Sequence, residues 1–294
     1  MADQRSTSSS TRWVSTFARS ATKHSAASGS ALHTATSGSE HWTNKPSGAG
    51  FPKNLTINST TVAPKFYYLG TGFTEAADDW VPLVGSNTLT TAGSGTEPSI
   101  GTSNPSVYQG VKYNDGEYHE NSSADFDLGT GDFVLEAFVQ IDHGGANDGI
   151  FGKLDGSNNG WNAVVLKGLG AVRMNISTTA TPFQGLDIGG CTADSFRHLM
   201  WFVNRDEAST NGARGYRDGT QISSKDYSVF SGTNITSTSN FVCGTRANNI
   251  GGDLYNKEVI AMGMWCLDDW FASGTGSHSE WDTIASERAS LFGV

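Results

Sequence analysis

The segment Asp132-Phe-Val-Leu-Glu-Ala-Phe-Val-Gln-Ile141 constrains the chain more than any other. Its apolar residues alternate with a period of two, and an extended strand turns that pattern into a face. Phe133, Leu135, Ala137, Val139 and Ile141 then share one wholly apolar side, which must enter a core. The other side carries Val134, Glu136, Phe138 and Gln140. An aromatic ring beside a lone charge predicts partial cover there, by a loop or by another subunit.

Similar pieces recur along the chain. KFYYLGTGF, WVPLVG, NTLTTAGSG, GIFGKLD, GWNAVVLKG, AVRMNIS, RHLMWFVNR, NFVCGTRA and KEVIAMGMWCL are short apolar or β-branched runs parted by Gly and Asn. Their spacing suits a sandwich rather than βαβ units, whose crossovers are longer. The 36 glycines among 294 residues fit many short strands joined by turns. Asp218-Gly219 marks a two-residue hairpin, because such turns need positive φ. Ser277-His-Ser-Glu280 is a capping-box pattern, and Trp281, Ile284, Ala285 and Leu291 follow on one face with Gly293 as a stop. That spacing predicts a short C-terminal helix. The expected fold class is all-β, a two-sheet antiparallel jelly-roll sandwich with an extended N-terminal arm and this helix.

The arm is read from composition. Ser and Thr make up 19 of the first 50 residues, and such a segment cannot by itself bury enough apolar surface to offset the entropy of ordering. Residues 1–62 are therefore expected to be a docking arm and residues 63–294 the sandwich domain. Trp13, Val14 and Phe17 would form its anchoring patch at i, i+1 and i+4, on its own domain or on a neighbouring subunit. A Ser- and Arg-rich, acid-poor start also resembles an organelle transit peptide, a reading ranked below the docking arm.

The formal net charge is −10, divided as +3 on residues 1–50 and −13 on the remainder. Five cations diluted in Ser and Thr are too few for nucleic acid, and the acidic body disfavours polyanions. Cys191, Cys243 and Cys266 show neither CxxC spacing nor a neighbouring His cluster, so free, buried thiols are expected rather than disulfides or zinc. No apolar run is long enough to span a membrane, and the start lacks the apolar centre of a secretory signal.

The order V-K-Y-N-D-G-E-Y-H-E-N (111–121), D-F-D-L-G-T-G-D-F-V-L-E-A-F-V (125–139) and G-I-F-G-K (149–153) resembles the concanavalin A-like jelly rolls of the laminin G and pentraxin kind. F-R-H-L-M-W-F-V (196–203), Y-R-D-G-T-Q-I (216–222) and L-Y-N-K-E-V-I-A-M-G-M-W (254–265) are similar to later landmarks of that superfamily, in order. The resemblance covers roughly residues 65–294. It implies two curved antiparallel sheets packed face to face and a short helix after the last strand. It does not imply one function, since the fold serves lectins, adhesion modules, glycanases and structural domains.

The glycanase branch of that superfamily carries carboxylates at alternate positions of one strand, which suits retaining hydrolysis because it needs two carboxyls about 5 Å apart. No predicted strand here has that pattern. Glu136 stands alone in its strand, and Asp268-Asp269 are adjacent, so they would diverge. G-x-S-x-G, H-E-x-x-H and P-loop signatures are absent too. His198, before an apolar run, reads as a packed histidine. Calcium is a candidate cofactor, since relatives bind it at the sandwich rim. Asp115 and Asp253, with Asp155 and Asn158, are the candidate ligands, although Asp and Asn beside Gly are also what turns require. Asp155, Asn158, Asn159 and Trp161, in the loop KLDGSNNGW, form the candidate glycan-binding set: an aromatic platform beside amides and a carboxylate.

These readings combine into an expectation: a non-enzymatic virion structural protein, made in a host cytoplasm. It would be a bacteriophage capsid decoration, head fibre or tail component whose lectin-like sandwich faces outward. Its partners would be other subunits of the particle, its own copies and surface glycans. A free-standing carbohydrate-binding or adhesion module is the alternative, and an inactive or divergent glycanase domain the third.

Overall fold

The computed structural model describes residues 51–57, 59–95, 97–101, 108–114, 116–142, 147–249, 254–267 and 278–294. The chain divides into two units, Met1–Pro52 and Lys53–Val294. Trp13, Val14 and Phe17 lie outside the described residues, as do Asp115, Asp253, Asp268, Asp269 and Ser277.

The unit boundary falls ahead of the expected 62/63 division. Residues 55–62 form a hairpin of β1 (Leu55–Ile57) and β2 (Thr60–Val62), with Leu55 and Ile57 buried and the Trp265 indole donating to the Lys53 carbonyl at 3.2 Å. Two apolar side chains among Thr, Ser and Asn are enough to bind this stretch to the domain, and composition averages them away.

The next strands are β3 (Phe66–Leu69), β4 (Phe73–Thr74), β5 (Asp79–Trp80), β6 (Leu89–Gly93), β7 (Ser99–Gly101), β8 (Gly110–Lys112) and β9 (Glu117–Asn121). Longer ones follow: β10 (Asp132–Gln140), β11 (Asp148–Leu154), β12 (Gly160–Leu166), β13 (Ala171–Ser177), β14 (Gln184–Ile188) and β15 (Phe196–Val203). Then come β16 (Ala213–Arg217), β17 (Thr220–Lys225), β18 (Phe241–Cys243), β19 (Glu258–Leu267) and the helix α1 (His278–Phe292). One sheet has the order β17-β16-β15-β10-β19-β8-β7, with β3 also paired to β19; the other runs β14-β13-β12-β11-β18-β9-β6-β5-β4. Every pairing with a given register is antiparallel, as expected for an all-β sandwich.

The apolar face of β10 enters the core as its alternation requires: Phe133, Leu135, Ala137, Val139 and Ile141 are fully buried. They belong to one cluster with Trp161, Ala163 and Val165 of β12, across the sandwich. Phe126 stacks on Phe241 with ring centroids 4.2 Å apart, and Phe66 and Trp161 pack around that pair. Each such large side chain contributes about 1.5–3 kcal/mol of hydrophobic stabilisation.

The second face of β10 is closed from Val134 to Phe138, with Gln140 half-buried at its end, and α1 is part of what closes it. The Phe292 ring lies 4.6 Å from Phe138 and 5.4 Å from His198, while Trp281 stacks on Phe202 at 5.3 Å. The buried stripe of α1 is Trp281, Ile284, Ala285, Arg288, Ala289 and Phe292, at helical spacing. Leu291, expected on that face, is only half-buried, and Phe292 takes its place. Asp218 and Gly219, at φ +50° and +78°, form the expected hairpin turn between β16 and β17. A Cβ on Gly219 would come within 2.9 Å of Ser286 Cα, so α1 rests on the hairpin tip. Cys191 and Cys243 are buried and Cys266 half-buried, all free thiols. Burial pushes the Cys243 thiol up to about 12.

Candidate functional site

Two clusters of titratable groups and one loop surface are the places where chemistry or binding could reside. The first cluster lies beneath α1. Glu136 accepts from His198 Nε2 at 2.7 Å and from Arg288 Nε and Nη2 at 2.9 and 2.5 Å, and Arg288 Nη2 also donates to the Tyr67 hydroxyl at 3.0 Å. Burial alone would raise the Glu136 carboxyl, but the Arg288 guanidinium and the His198 bond outweigh it and hold it down at about 2. Glu136 and His198 have no exposed surface and Arg288 only 4%. A carboxylate so acidic and so enclosed neither donates a proton near neutrality nor reaches a substrate. This constellation fastens the helix to the sheet.

The second cluster is at the start of β11. Lys167 Nζ lies 2.7 Å from Asp148 and 3.4 Å from Asp142, with all three side chains nearly buried. Burial pushes the Asp148 carboxyl up to about 7, with Asp142 adding to the rise and Lys167 opposing it. The lysine tethers the entry of β11 to the end of β12.

The third place is the opposite end of β11. There the β11–β12 turn carries Asp155, Asn158 and Asn159. Asp155 Oδ1 accepts the backbone N–H groups of Ser157 and Asn159, both at 2.9 Å, and Asn158 sits at φ +62°, a conformation asparagine tolerates. Asn159 Oδ1 accepts the Thr179 N–H at 2.6 Å, tying this turn to the β13–β14 loop, and Asn248 donates to Asn158 at 3.0 Å. A third loop, residues 231–240, is fixed by paired backbone bonds between Ile235 and Gly129 and by the Ser237 N–H to Asp127 at 3.1 Å.

Two open depressions of about 300 and 380 Å³ lie side by side on this surface. Ser157, Asn158, Ser177, Pro182 and Phe183 line the first. Asp155, Asn159, Thr233, Asn234, Thr236 and Thr238 are among those lining the second, and Thr178 and Thr179 belong to both as a ridge. Hydroxyls and amides dominate, and Phe183 is 39% exposed.

Of the expected glycan set, Asp155, Asn158 and Asn159 thus line the depressions, and Trp161 does not. Trp161 is 1% exposed, its indole donates to the Phe126 carbonyl at 2.8 Å, and its ring packs on Phe151 and Phe241. It occupies an inward position of β12, in line with Ala163 and Val165, and cannot be a platform. The accessible aromatic is Phe183, which the sequence signals weakly: in TTATPFQG it follows Thr, Ala and Pro, outside any alternating run. Asp155 spends its carboxylate on its own turn, the role that turn chemistry requires. Among the described residues no group of three or more His, Cys, Asp or Glu is placed to hold a metal ion. No helix of the described residues is long and apolar enough to cross a membrane.

No protein-family model matches the chain, and no curated protein matches its sequence. Solved structures share its fold. Domain 4 of AbnA, a GH43 extracellular arabinanase from Geobacillus stearothermophilus solved in complex with arabinotriose, is similar with a TM-score of 0.53 at 11% identity, over 76% of this chain and 98% of that one. The botulinum neurotoxin serotype D binding domain gives 0.51 at 8% identity over 76% of this chain, which spans about half of that domain, 51%. A Trypanosoma rangeli sialidase gives 0.50 at 14% identity, over 79% of this chain and 34% of the enzyme. At such identities the likeness shows a common all-β sandwich fold.

Proposed function

We propose that residues 53–294 form a non-catalytic carbohydrate-binding module, with its sugar face on the loop end formed by the β11–β12 turn, the β13–β14 loop and residues 231–240. The observation that carries this is the pair of hydroxyl- and amide-lined depressions beside the exposed Phe183 ring. Sugars need many short-range donors and acceptors together with one apolar ring face, and this surface supplies both. The network through Asn159 and Asn248 holds the loops in place before any ligand arrives, which lowers the ordering cost of binding. The fold shared with a domain solved in complex with arabinotriose supports the same reading. The enclosure of Glu136 supports a binding rather than a hydrolytic role.

The finer reading is a virion structural protein, a capsid decoration, head fibre or tail component, that carries this module outward on an arm. It is supported by the Ser- and Thr-rich composition and the positive charge of residues 1–50. A glycan array probed with the purified protein tests the module, and retention of at least one glycan class is the expected result; an array on which nothing is retained contradicts it. Deletion of residues 1–52 tests the arm: the remaining chain should fold yet fail to assemble into the particle, and undiminished assembly contradicts the docking role.

A further inference from the structure

The two depressions differ in chemistry from a site for an acidic sugar. Asp155 contributes the one charged side chain among the residues that line them, and it is negative. Two cations lie close beneath the loops, and both are committed. Arg205 is 1% exposed, with Nη1 2.9 Å from the Thr233 carbonyl and its other contacts to the carbonyls of Gly129 and Gly131. Lys153 is 2% exposed and bound to Asp127 at 3.1 Å and to the Ser123 carbonyl at 3.0 Å. None of the residues that line the two depressions offers a cation to a carboxylate or sulfate on a ligand. It would also approach a chain whose residues 51–294 carry a formal charge of −13.

The shape adds a second restriction. Each depression is shallow, and at about 300 and 380 Å³ each falls at the lower limit of ligand pockets in general. They adjoin across Thr178 and Thr179, whose positions are fixed by the Asn159–Thr179 bond and by reciprocal backbone bonds between Thr178 and Thr181 at 2.9 and 3.2 Å. A ligand that fills only one depression gains little area, whereas a chain crossing the ridge reaches Phe183 at one end and the hydroxyls of Thr233, Thr236 and Thr238 at the other.

Resting on the reading of this surface as a sugar face, we infer that the module takes neutral, uncharged oligosaccharide chains of at least two units laid across the Thr178–Thr179 ridge, with a sugar ring stacked on Phe183. Acidic glycans, sialylated or uronic, are discriminated against by the missing cation.

The test is titration calorimetry on the full chain with neutral arabinan, xylan and β-glucan fragments of one to four units, and with oligogalacturonides and sialylated lactose as acidic probes. At least one neutral series should gain about tenfold or more in affinity from one unit to three, because each added unit brings several more atoms into contact. Acidic chains of equal length should bind about tenfold more weakly. Phe183→Ala should lower neutral-chain affinity by about fivefold or more with the thermal unfolding temperature unchanged, and Thr236→Lys should narrow the gap between acidic and neutral chains. Acidic chains bound as tightly as neutral ones overturn the charge assignment. A single sugar bound as tightly as three overturns the two-depression placement. Neutral-chain binding untouched by Phe183→Ala overturns the location. If no glycan of either kind binds, the sugar-face reading itself fails, an outcome distinct from the other three.

Discussion

Glu136 and Arg288 meet out of water, and pairs of this kind are far more costly to break than they are worth in isolation. An unpartnered charge then stays buried, at roughly 3–5 kcal/mol. Arg288→Met should therefore destabilise the domain by about that amount in denaturant unfolding. The double change Glu136→Gln with Arg288→Met should cost clearly less than the sum of the single changes, because the residues share one network; additive costs would mean that the two act independently. Asp148 behaves in the opposite sense. Its folded carboxyl, raised to about 7 from an ordinary 3.8, holds its proton more tightly than the unfolded chain does. Its contribution is complete below the unfolded value and is lost as pH rises through 7. Asp148→Asn cannot ionise, so its stability relative to the natural chain should climb between about pH 4 and pH 8, whatever the constant offset from its altered contact with Lys167. A pH-independent difference between the two proteins would contradict this.

Among the elements, β10 and the C-terminal helix were the most legible in the sequence, for different reasons. The unbroken apolar row at every second position from Phe133 to Ile141 requires a core, and the structure buries that row completely. The helix was marked by Trp281, Ile284, Ala285 and Gly293, but its central buried residue, Arg288, was unreadable because a charge on an apolar stripe looks like a boundary until its counter-ion in another element is known. Glu136 beside Phe138 signals cover over its face, but not the cation from another element that supplies it. Strands as short as β4, β5 and β7 carry too few residues for a period to show. In the candidate site the polar residues were legible because Asp and Asn mark a turn; the aromatic was misassigned because Trp161 adjoins that turn while pointing the other way. Asp218-Gly219 marks the hairpin turn in the sequence, but nothing in the sequence marks its contact with α1. Gly219→Ala must strain a residue at φ +78° and crowd Ser286, so it should lower stability by more than about 1 kcal/mol. An unchanged denaturation midpoint would show that α1 is not seated on the hairpin.

For the whole molecule, the division at Pro52 and Lys53 makes a sharp prediction about truncation. A chain beginning at Lys53 keeps Leu55, Ile57 and the Lys53 carbonyl and should fold on its own. One beginning at Ala63 lacks Leu55, Ile57 and the carbonyl that accepts from Trp265, and it should unfold roughly 5–10 °C lower by calorimetry, from the apolar burial lost. Equal temperatures for the two would return the boundary to position 62. On the proposed reading, the acidic charge of the domain and the hydroxyl-rich loop end act together at this scale: the first disfavours polyanions at long range, and the second selects among uncharged ligands at contact.

The clasp between Arg288 and Glu136 also sets an order of events. The two residues are 152 positions apart, so on a growing chain the sheet carrying Glu136, Phe138 and His198 is made long before the helix that covers it. Contacts of such long range form late and fold slowly. Until residues 278–292 arrive, an aromatic surface and a charge without its counter-ion stay open to solvent and to other chains. A chain ending ahead of His278 would remain in that condition, with the aromatic face around Phe138 and Phe202 left to pair with other chains.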